Sequence, residues 1–265
     1  MNAVLAPSLR RELGLVGWQI RYEQRAYWRN RGRGIFTFVF PLMFLVIFGS
    51  LNKGAHLSSR GGIPYDDFFV PGILAYGVIA TTYVNMAIGT AILRDEGILK
   101  RMQGTPLPPW AYVAARVGST VLIVVAMAAL TLGLGAAAYG VHLRAAAIPG
   151  LLATLALGTA AFTTLGIGVA RFIPNAESAP VFVNLSVLPL TFISSIWFPV
   201  DNMPKVLKTI ADIFPLRPLA DGLQYAFDPR TTGAGLNGHD LRTLAIWTVV
   251  GVYLMLRFLR RPQGD

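Results

Sequence analysis

The sequence predicts an all-α integral membrane protein, a single domain with six membrane-spanning helices. Three observations predict this class. Hydrophobic residues make up 54% of the 265 residues and charged residues only 14%, whereas a soluble domain carries roughly 25% charged residues. Several apolar stretches exceed the roughly 18 residues that mark a candidate span. Between two of these stretches lies one short charged segment, residues 94–101.

Charge and cysteine content restrict the chemistry that is available to the chain. It contains no cysteine, which excludes disulfides, thiol catalysis and thiolate metal sites. The net charge is +10. A strongly basic balance is typical of nucleic-acid-binding proteins, but basic residues also flank the cytoplasmic ends of membrane helices. Because apolar stretches dominate the chain, we predict the lipid bilayer as its environment and no nucleic acid as a partner.

Residues 1–33 are predicted to form a cytoplasmic amphipathic helix. Leu9, Leu13, Val16 and Ile20 recur at helical spacing, and arginines repeat every four residues on another face. The aromatic residues of this segment are Trp18, Tyr22, Tyr27 and Trp28. A basic amphipathic helix with such rings lies flat on a membrane surface. A solvated basic leader is the alternative.

Residues 34–265 are predicted to form the transmembrane domain. The six predicted spans cover residues 34–51, 68–93, 110–140, 145–170, 179–200 and 244–259. Their only charged residues are Arg116 and Arg257, each near the end of its span. The fourth span is rich in Gly, Ala and Thr, small residues that allow membrane helices to approach each other closely.

The distribution of lysine and arginine predicts the orientation in the membrane. If the N-terminus is inside, the inner segments hold fourteen basic residues and the outer segments hold eight, with Arg116 left out. Basic residues concentrate on the cytoplasmic side, so both termini are predicted to be cytoplasmic. The charged segment and the short loop of residues 171–178 then also face the cytoplasm.

The segment before the last span, residues 201–243, is predicted to contain two short helices on the outer side. Met203, Leu207, Ile210 and Phe214 recur at helical spacing, and a second apolar piece covers residues 219–227. Each piece is too short to span a bilayer. We predict that they lie in the interface or enter the membrane against protein, with ordinary surface helices as the alternative.

The charged segment between spans two and three is predicted to be a capped helix. Asp95 and Glu96 lie at its start and Lys100 and Arg101 at its end, and both placements suit the helix dipole. Glu96 and Lys100 are one turn apart, a favourable spacing for an ion pair. Gly104 is the predicted C-cap. Apolar contacts to a partner are offered by Ile98, Leu99 and Met102. A capped loop helix without a partner is the alternative.

The sequence holds no evident energy source or catalytic site. Its lysines are Lys53, Lys100, Lys205 and Lys208, and none follows a glycine, so the chain has no phosphate-binding P-loop. No Asp or Glu lies within a predicted span, which argues against a proton-coupled or sodium-coupled carrier. The histidines are isolated from one another in the sequence. We predict no catalytic residue, no metal site and no cofactor in this chain.

Polar residues within two spans are candidates for a substrate pathway. In span two these are Tyr83 and Asn85. In span five, a stripe at helical spacing consists of Asn184, Leu188, Thr191 and Ser195, and the aromatic residue Phe192 is nearby. Such residues are able to line a cavity for an amphipathic substrate. Hydrogen bonding between packed helices explains them equally well.

Two segments of the chain resemble a known family. The run Arg-Asp-Glu-Gly-Ile-Leu-Lys-Arg at residues 94–101 is followed by Gly-Thr-Pro-Leu-Pro-Pro and then Tyr112. This segment resembles the signature of ABC-2 type transporter permeases, close to the exporters typified by daunorubicin-resistance permeases. Residues 199–221, with their Phe-Pro, Met-Pro and Phe-Pro-Leu-Arg-Pro-Leu motifs, are similar to the outer segment of the same family.

The resemblance implies an architecture and a mechanism of the ABC-2, or type V, exporter kind. The leader would be the connecting helix, and residues 94–105 would be a coupling helix that docks into a separate ATP-binding cassette subunit. The contacts to this subunit would come from Asp95, Glu96, Ile98, Leu99, Lys100, Arg101 and Met102, with Arg171 and Glu177 in a smaller second contact. Spans two and five would line the pathway.

The resemblance also implies an assembly in a bacterial-type cell membrane. Two permease chains, identical or paralogous, would work with two ATP-binding cassette subunits that carry Mg-ATP. They would export an amphipathic substrate, such as a drug, polyketide, lipid or glycolipid, by alternating access. The chain would be no enzyme by itself. Two other classes stay open from the residues alone: a self-contained carrier or channel, and a membrane anchor for a cytoplasmic enzyme.

Overall fold

The computed structural model describes residues 9–103, 109–200 and 203–260, and these residues are mostly helical. The α-helices within them are α1 (Leu9–Arg29), α2 (Arg31–Leu51), α3 (Tyr65–Ile79), α4 (Asn85–Asp95), α5 (Ile98–Gln103), α6 (Pro109–Tyr139), α7 (Ile148–Val169), α8 (Ala179–Ile193), α9 (Lys205–Ile213), α10 (Leu216–Phe227) and α11 (Gly238–Arg260). Two short strands, β1 (His56–Leu57) and β2 (Ile63–Pro64), form an antiparallel hairpin.

Five helical segments are long and apolar enough to cross a membrane. They are Gly34–Leu51, Tyr65–Asp95, Ala111–Tyr139, Ala145–Phe172 and Gly238–Phe258. The second is continuous through α3, a π-helical turn at Ala80–Val84, and α4. The predicted all-α membrane class is therefore confirmed.

The fifth predicted span, residues 179–200, differs from the prediction. Its helix α8 has 15 residues and is about 22 Å long, whereas the hydrocarbon core is about 30 Å thick. The helix ends before Ser194, and Ser195 adopts a left-handed backbone with φ of 57°. The apolar composition continues beyond Ser195, so hydropathy alone did not indicate this break.

The segment Tyr65–Asp95 is the central helix of the bundle. Its most apolar window is 72% buried, whereas the corresponding windows of the other four segments are 22–44% buried. The helices around it expose apolar side chains outward, including Phe36 of α2, Val125 of α6 and Val249 of α11. A soluble protein rarely exposes apolar surface on this scale, and a bilayer covers it.

Glycines allow the closest helix contact, between α7 and α11. A Cβ at Gly168 would lie 2.7 Å from Cβ of Leu254. Gly251 of α11 lies directly against Thr164 of α7. The Gly, Ala and Thr content of the fourth predicted span therefore serves close packing, which drives helix association in a bilayer.

The bundle has two ends, which we name by their features. The knob end carries the charged knob, residues 94–103, and the loop of residues 170–178. The hairpin end carries β1 and β2, α9 and the end of α10, a helix that packs against α3 and α7. The leader helix α1 packs along α6, where the Gln24 side-chain amide donates to the Ser119 carbonyl at 2.8 Å.

Candidate functional site

The charged knob consists of two helices with a turn between them. Helix α4 ends at Asp95, Gly97 has a φ of 67°, and α5 begins at Ile98. The prediction of one helix that starts at Asp95 and Glu96 is therefore wrong, because a glycine in the left-handed region ends a helix. Among the described residues no ion pair joins Glu96 to Lys100. The Arg101 guanidinium instead donates to the Glu96 carbonyl at 2.8 Å.

Arg94 and Asp95 tie the knob to the loop of residues 170–178, and we call this pair the clasp. The Arg94 guanidinium donates to the Ala170 carbonyl at 2.8 Å and to the Pro174 carbonyl at 3.3 Å. It also donates to Oδ1 of Asp95 at 3.0 and 2.8 Å. The other oxygen of Asp95 accepts the backbone N–H of Ala176. The two predicted inner loops therefore form one continuous surface.

The knob side chains divide between this surface and the interior. Glu96, Lys100 and Arg101 are exposed, and Ile98 is half-buried. Leu99 is buried, in a cluster whose other members are Ile167, Met255 and Phe258. Leu99 therefore anchors α5 to α7 and α11 instead of facing outward. The side chain of Met102 and the predicted C-cap Gly104 lie outside the described residues.

The second loop adds an exposed aromatic residue that sequence reasoning missed. Phe172 is 58% exposed, and the half-buried Arg171 places its guanidinium 6.0 Å from the centre of the Phe172 ring. Glu177 is exposed. Buried Ile173 and the 2.8 Å bond from the Ser178 N–H to the Asn175 side chain hold the loop in place. A single aromatic residue in a short charged loop was the available signal.

A cavity of about 260 Å³ lies between α2, the central helix and α8, and we call it the membrane cavity. It is lined by Phe36, Thr37, Phe40, Pro41, Tyr76, Ile79, Ala80, Val84, Asn85, Ile88, Asn184, Val187 and Leu188. Most of this lining is apolar, with a few hydroxyl and amide groups. One of the amides, Asn85 Nδ2, donates to Thr37 Oγ1 at 3.4 Å.

The predicted pathway residues divide between the membrane cavity and other positions. Asn85, Asn184 and Leu188 line the cavity. The buried Tyr83 hydroxyl lies 3.1 Å from Ser186 Oγ, where it joins the central helix to α8. Tyr83 therefore connects two helices that border the cavity without lining it.

The candidate stripe on span five is divided in the structure: Asn184 and Leu188 line the membrane cavity, and its other members do not. Thr191 is fully buried, and its hydroxyl donates to the Leu188 carbonyl at 2.8 Å. Ser195 lies beyond the end of α8 and faces the hairpin end, where Arg60 contacts it. Phe192 is 56% exposed and packs near Trp197 with a centroid distance of 6.4 Å. The end of α8 before Ser194 explains only why Ser195 leaves the stripe.

Helix α2 was not predicted to line a pathway, although it supplies four residues of the membrane cavity. Phe36, Thr37, Phe40 and Pro41 all lie on one face of α2. The available signal was Thr37, a polar residue in a predicted span that is otherwise rich in phenylalanine. This signal was too weak to choose one face of the helix.

A second cavity of about 280 Å³ lies at the hairpin end, and we call it the hairpin cavity. Its lining residues are Arg60, Ile63, Asp67, Phe68, Asp221, Gln224, Tyr225, Asp228 and Asn237. Asp228 accepts two hydrogen bonds from the Arg230 guanidinium, at 3.0 and 2.7 Å. These bonds hold the pKa of the Asp228 carboxyl below its usual range, because they stabilise the charged form.

Ion pairs stiffen the two helices at the hairpin end. Nη1 of Arg217 lies 2.9 Å from Oδ1 of Asp212 in α9. Nε of Arg217 lies 3.1 Å from Oδ2 of Asp221, one turn further along α10. The spacing of Arg217 and Asp221 was visible in the sequence. The pairing across Pro215 with Asp212 was not, because it depends on the angle between α9 and α10. Among the described residues no cluster of acidic or histidine side chains is able to hold a metal ion.

Comparison with known proteins agrees with this architecture. A family model described as ABC-2 type transporter matches residues 15–227. The chain is 29% identical to nodulation protein J of Rhizobium leguminosarum bv. trifolii, over 83% of each chain. It is 22% identical to the inner membrane transport permease YadH of Escherichia coli K12, over 84% of this chain and 85% of that permease. Because the family model covers most of its length, the chain belongs to the ABC-2 type transporter family.

Proposed function

We propose that this chain, a multi-pass membrane subunit of a transporter, is driven by a separate ATP-binding cassette subunit that docks on the knob end. The observation that carries the proposal is the clasp of Arg94 and Asp95, which joins both loops of the knob end into one surface. A loop that only connects two spans needs no such bonds to a second loop. A surface that receives force from a partner does.

The composition of this surface fits a protein partner. Lys100 and Arg101 are exposed beside Glu96, and Phe172 offers an exposed ring next to Arg171. Aromatic and arginine side chains are enriched among the residues that dominate the energy of protein interfaces. The proposed contact residues are therefore the exposed members of the predicted set, together with Phe172.

The knob is attached so that a force on it reaches the spans. Helix α5 follows α4 after a single turn, and the buried Leu99 holds α5 against α7 and α11. A displacement of the knob therefore moves the part of the central helix next to it, α4, which carries Asn85 and Ile88 of the membrane cavity. This route connects ATP binding in the partner to the substrate pathway.

The rest of the assembly follows from the family and the orientation. Two such chains, identical or paralogous, work with two ATPase subunits that hold Mg-ATP, since this chain has no P-loop. The knob end and both termini face the cytoplasm, as the distribution of basic residues predicts. The connecting helix α1 lies along the inner membrane surface and exposes Trp18 and Tyr22, rings that favour the interface.

The membrane cavity indicates an amphipathic substrate that is exported from the membrane. Its rings and aliphatic side chains accommodate an apolar body, and Thr37, Asn85 and Asn184 offer hydrogen bonds to a polar group. Drugs, polyketides, lipids and glycolipids all have this character. A relative with 21% identity over 60% of this chain, from Escherichia coli K12, is described as a probable multidrug ABC transporter permease, YbhR.

Reversal of charge on the knob tests the docking proposal. We expect the double variant Lys100→Glu/Arg101→Glu to reduce co-purification of the ATPase subunit by about tenfold or more. A partner surface that complements these two cations is acidic, and like charges across an interface are costly. Co-purification from detergent with a tagged chain is the measurement. The matched control is Lys205→Glu/Lys208→Glu on α9 at the hairpin end, which should leave the amount of ATPase unchanged. Equal recovery with both double variants would contradict the proposal.

Filling the membrane cavity tests the substrate pathway. We expect Asn184→Trp to abolish the stimulation of ATPase activity by substrate in the purified complex, because a bulky ring occupies the space between α2 and α8. Basal ATPase activity should remain. The matched control is Leu185→Trp on the same helix, because Leu185 is 72% exposed and does not line the cavity. Unchanged stimulation in Asn184→Trp would show that the substrate takes another route.

A further inference from the structure

Two separate cavities lie along one face of the central helix. The hairpin cavity contacts this helix at Asp67 and Phe68, and the membrane cavity contacts it from Tyr76 onward. Phe68 and Tyr76 are about 12 Å apart along the axis at 1.5 Å per residue. Between these two levels the helix carries Gly72, and the chain that follows α8 packs against this glycine.

The segment of residues 194–197 packs against the central helix between the levels of the two cavities, and we call it the gate segment. A Cβ at Gly72 would lie 2.6 Å from the Ile196 carbonyl oxygen, so this backbone touches the central helix directly. The ring of Trp197 lies 5.1 Å from that of Tyr76, which lines the membrane cavity, and 5.1 Å from that of Phe44. All four residues of the segment are buried.

Two polar side chains hold the gate segment from the hairpin end. Gln224 of α10 is 5% exposed and donates through Nε2 to the Ser195 carbonyl at 2.7 Å. Oε1 of Gln224 accepts from the Arg60 guanidinium at 2.8 Å. Arg60 also donates to Ser195 Oγ at 3.4 Å and lies over the Phe68 ring at 4.8 Å. The hairpin, the end of α8 and α10 thus meet at one residue.

The backbone at this point is held in an unfavourable conformation. Ser195 is the only non-glycine residue with positive φ in the part of the chain that the structure describes. A side chain in the left-handed region costs free energy and persists only where neighbouring contacts impose it. The bonds from Gln224 and Arg60 are hydrogen-bonding contacts that Ser195 makes in this conformation.

We propose that Gln224 and Arg60 are positioning residues that latch the gate segment shut and so separate the membrane cavity from the hairpin cavity. Release of the latch joins the two cavities into one path toward the hairpin end. In the proposed function this release is the exit step of export, and in that respect the inference rests on the proposed function. The barrier itself does not depend on an ATPase, which allows the two proposals to be tested separately.

Thiol labelling measures the barrier directly, because the chain contains no cysteine. Ala80→Cys places one thiol in the membrane cavity, and Ser58→Cys places one at the exposed hairpin. A membrane-impermeant thiol reagent is added to intact cells that produce the full chain, or to inverted vesicles, on the side where Ser58→Cys is labelled. In the otherwise native chain we expect Ala80→Cys to react far more slowly than Ser58→Cys.

Loss of the latch should open the path. We expect Gln224→Leu to raise the labelling rate of Ala80→Cys about tenfold, the population shift that follows loss of a buried hydrogen bond. Gln224→Glu keeps the size of the side chain and its acceptor for Arg60. When ionised it is unable to donate to the Ser195 carbonyl, so it should also raise the labelling rate of Ala80→Cys. The matched control Tyr225→Phe lines the hairpin cavity without touching Ser195 and should leave the rate unchanged.

The labelling rates of Ala80→Cys distinguish three cases: a closed gate held by Gln224, a path that is already open, and a closed barrier that does not depend on Gln224. Each variant is checked by gel filtration in detergent, and the use of two different substitutions keeps the test valid if one of them unfolds. Slow labelling of Ala80→Cys in both Gln224 variants, with normal labelling of Ser58→Cys, would overturn the latch. Fast labelling in the otherwise native chain would overturn the closed gate. Neither result depends on whether the ATPase docks at the knob.

Discussion

Replacement of Arg94 by alanine is expected to reduce ATP-driven transport about tenfold or more while the membrane domain stays folded. Arg94 makes the bonds to the Ala170 and Pro174 carbonyls that join the two loops of the knob end. A hydrogen bond from a charged group contributes about 1.5–3 kcal/mol, which is enough to release a loop from a surface. The partner would then push on a knob that no longer carries the second loop with it.

The measurement is the ratio of substrate transported to ATP hydrolysed in the reconstituted complex. We expect Arg94→Ala to lower this ratio by about tenfold or more, since the loss of about 1.4 kcal/mol shifts an equilibrium tenfold. Arg94→Lys should give an intermediate value, because lysine retains the charge but lacks the planar fork of donors. Arg242→Ala, which removes a comparable bond to a carbonyl at the hairpin end, is the matched control.

Two results would contradict this role of Arg94. A normal transport ratio in Arg94→Ala would show that the clasp has no role in coupling. Loss of the protein from the membrane would show that Arg94 is needed for folding. In that case Asp95→Asn, which keeps the side-chain shape and weakens the bonds from Arg94 and the Ala176 N–H, becomes the variant that tests coupling.

The parts of the fold that the sequence predicted well are those that depend on local composition. Long apolar runs located the spanning helices because hydropathy over about 20 residues is set by the bilayer thickness. The charged knob stood out for the same reason. Its internal turn was also readable in principle, since Gly97 lies between Glu96 and Ile98 and glycine is the usual residue in a left-handed helix end.

The parts that were missed depend on contacts between distant residues. Leu99 faces inward because α7 and α11 supply Ile167 and Met255, and nothing near Leu99 in the sequence indicates this. The chain just beyond the end of α8 is bonded at the Ser195 carbonyl by Gln224, which lies 29 residues away in the sequence. The membrane cavity likewise needs α2 beside α8, an arrangement that spacing within either helix does not indicate.

Gly166→Ala is expected to be among the most disruptive substitutions of a single glycine within the transmembrane helices. A Cβ at Gly166 of α7 would lie 2.7 Å from the Tyr83 carbonyl, 2.9 Å from Cβ of Met86 and 3.1 Å from Cα of Tyr83. These atoms belong to the π-helical turn and its exit, so no flexible side chain is able to move aside. Gly150 has even closer backbone neighbours, but they lie in the loop at Gly235, which yields more readily than a helix.

Gly166→Ala is expected to lower both the stability of the chain and the function of the substrate pathway. Overpacking of this kind costs about 1–3 kcal/mol, and the π-helical turn, a feature often found at functional sites, has to shift toward the membrane cavity. We expect a lower thermal midpoint of the chain in detergent and a loss of substrate-stimulated ATPase activity in the complex. Gly133→Ala in α6 is the matched control, because a Cβ there meets no atom within 4 Å.

The Gly133→Ala control separates the close contact at Gly166 from the general effect of alanine in a helix. An alanine in the middle of a helix is favoured over glycine by about 1 kcal/mol, so Gly133→Ala should keep or raise the thermal midpoint and leave ATPase stimulation unchanged. If Gly166→Ala lowered the midpoint but preserved stimulation, the π-helical turn would serve packing alone. If both variants behaved alike, α7 would have room to move away from the central helix, and the pathway would be less tightly coupled to helix packing than we infer.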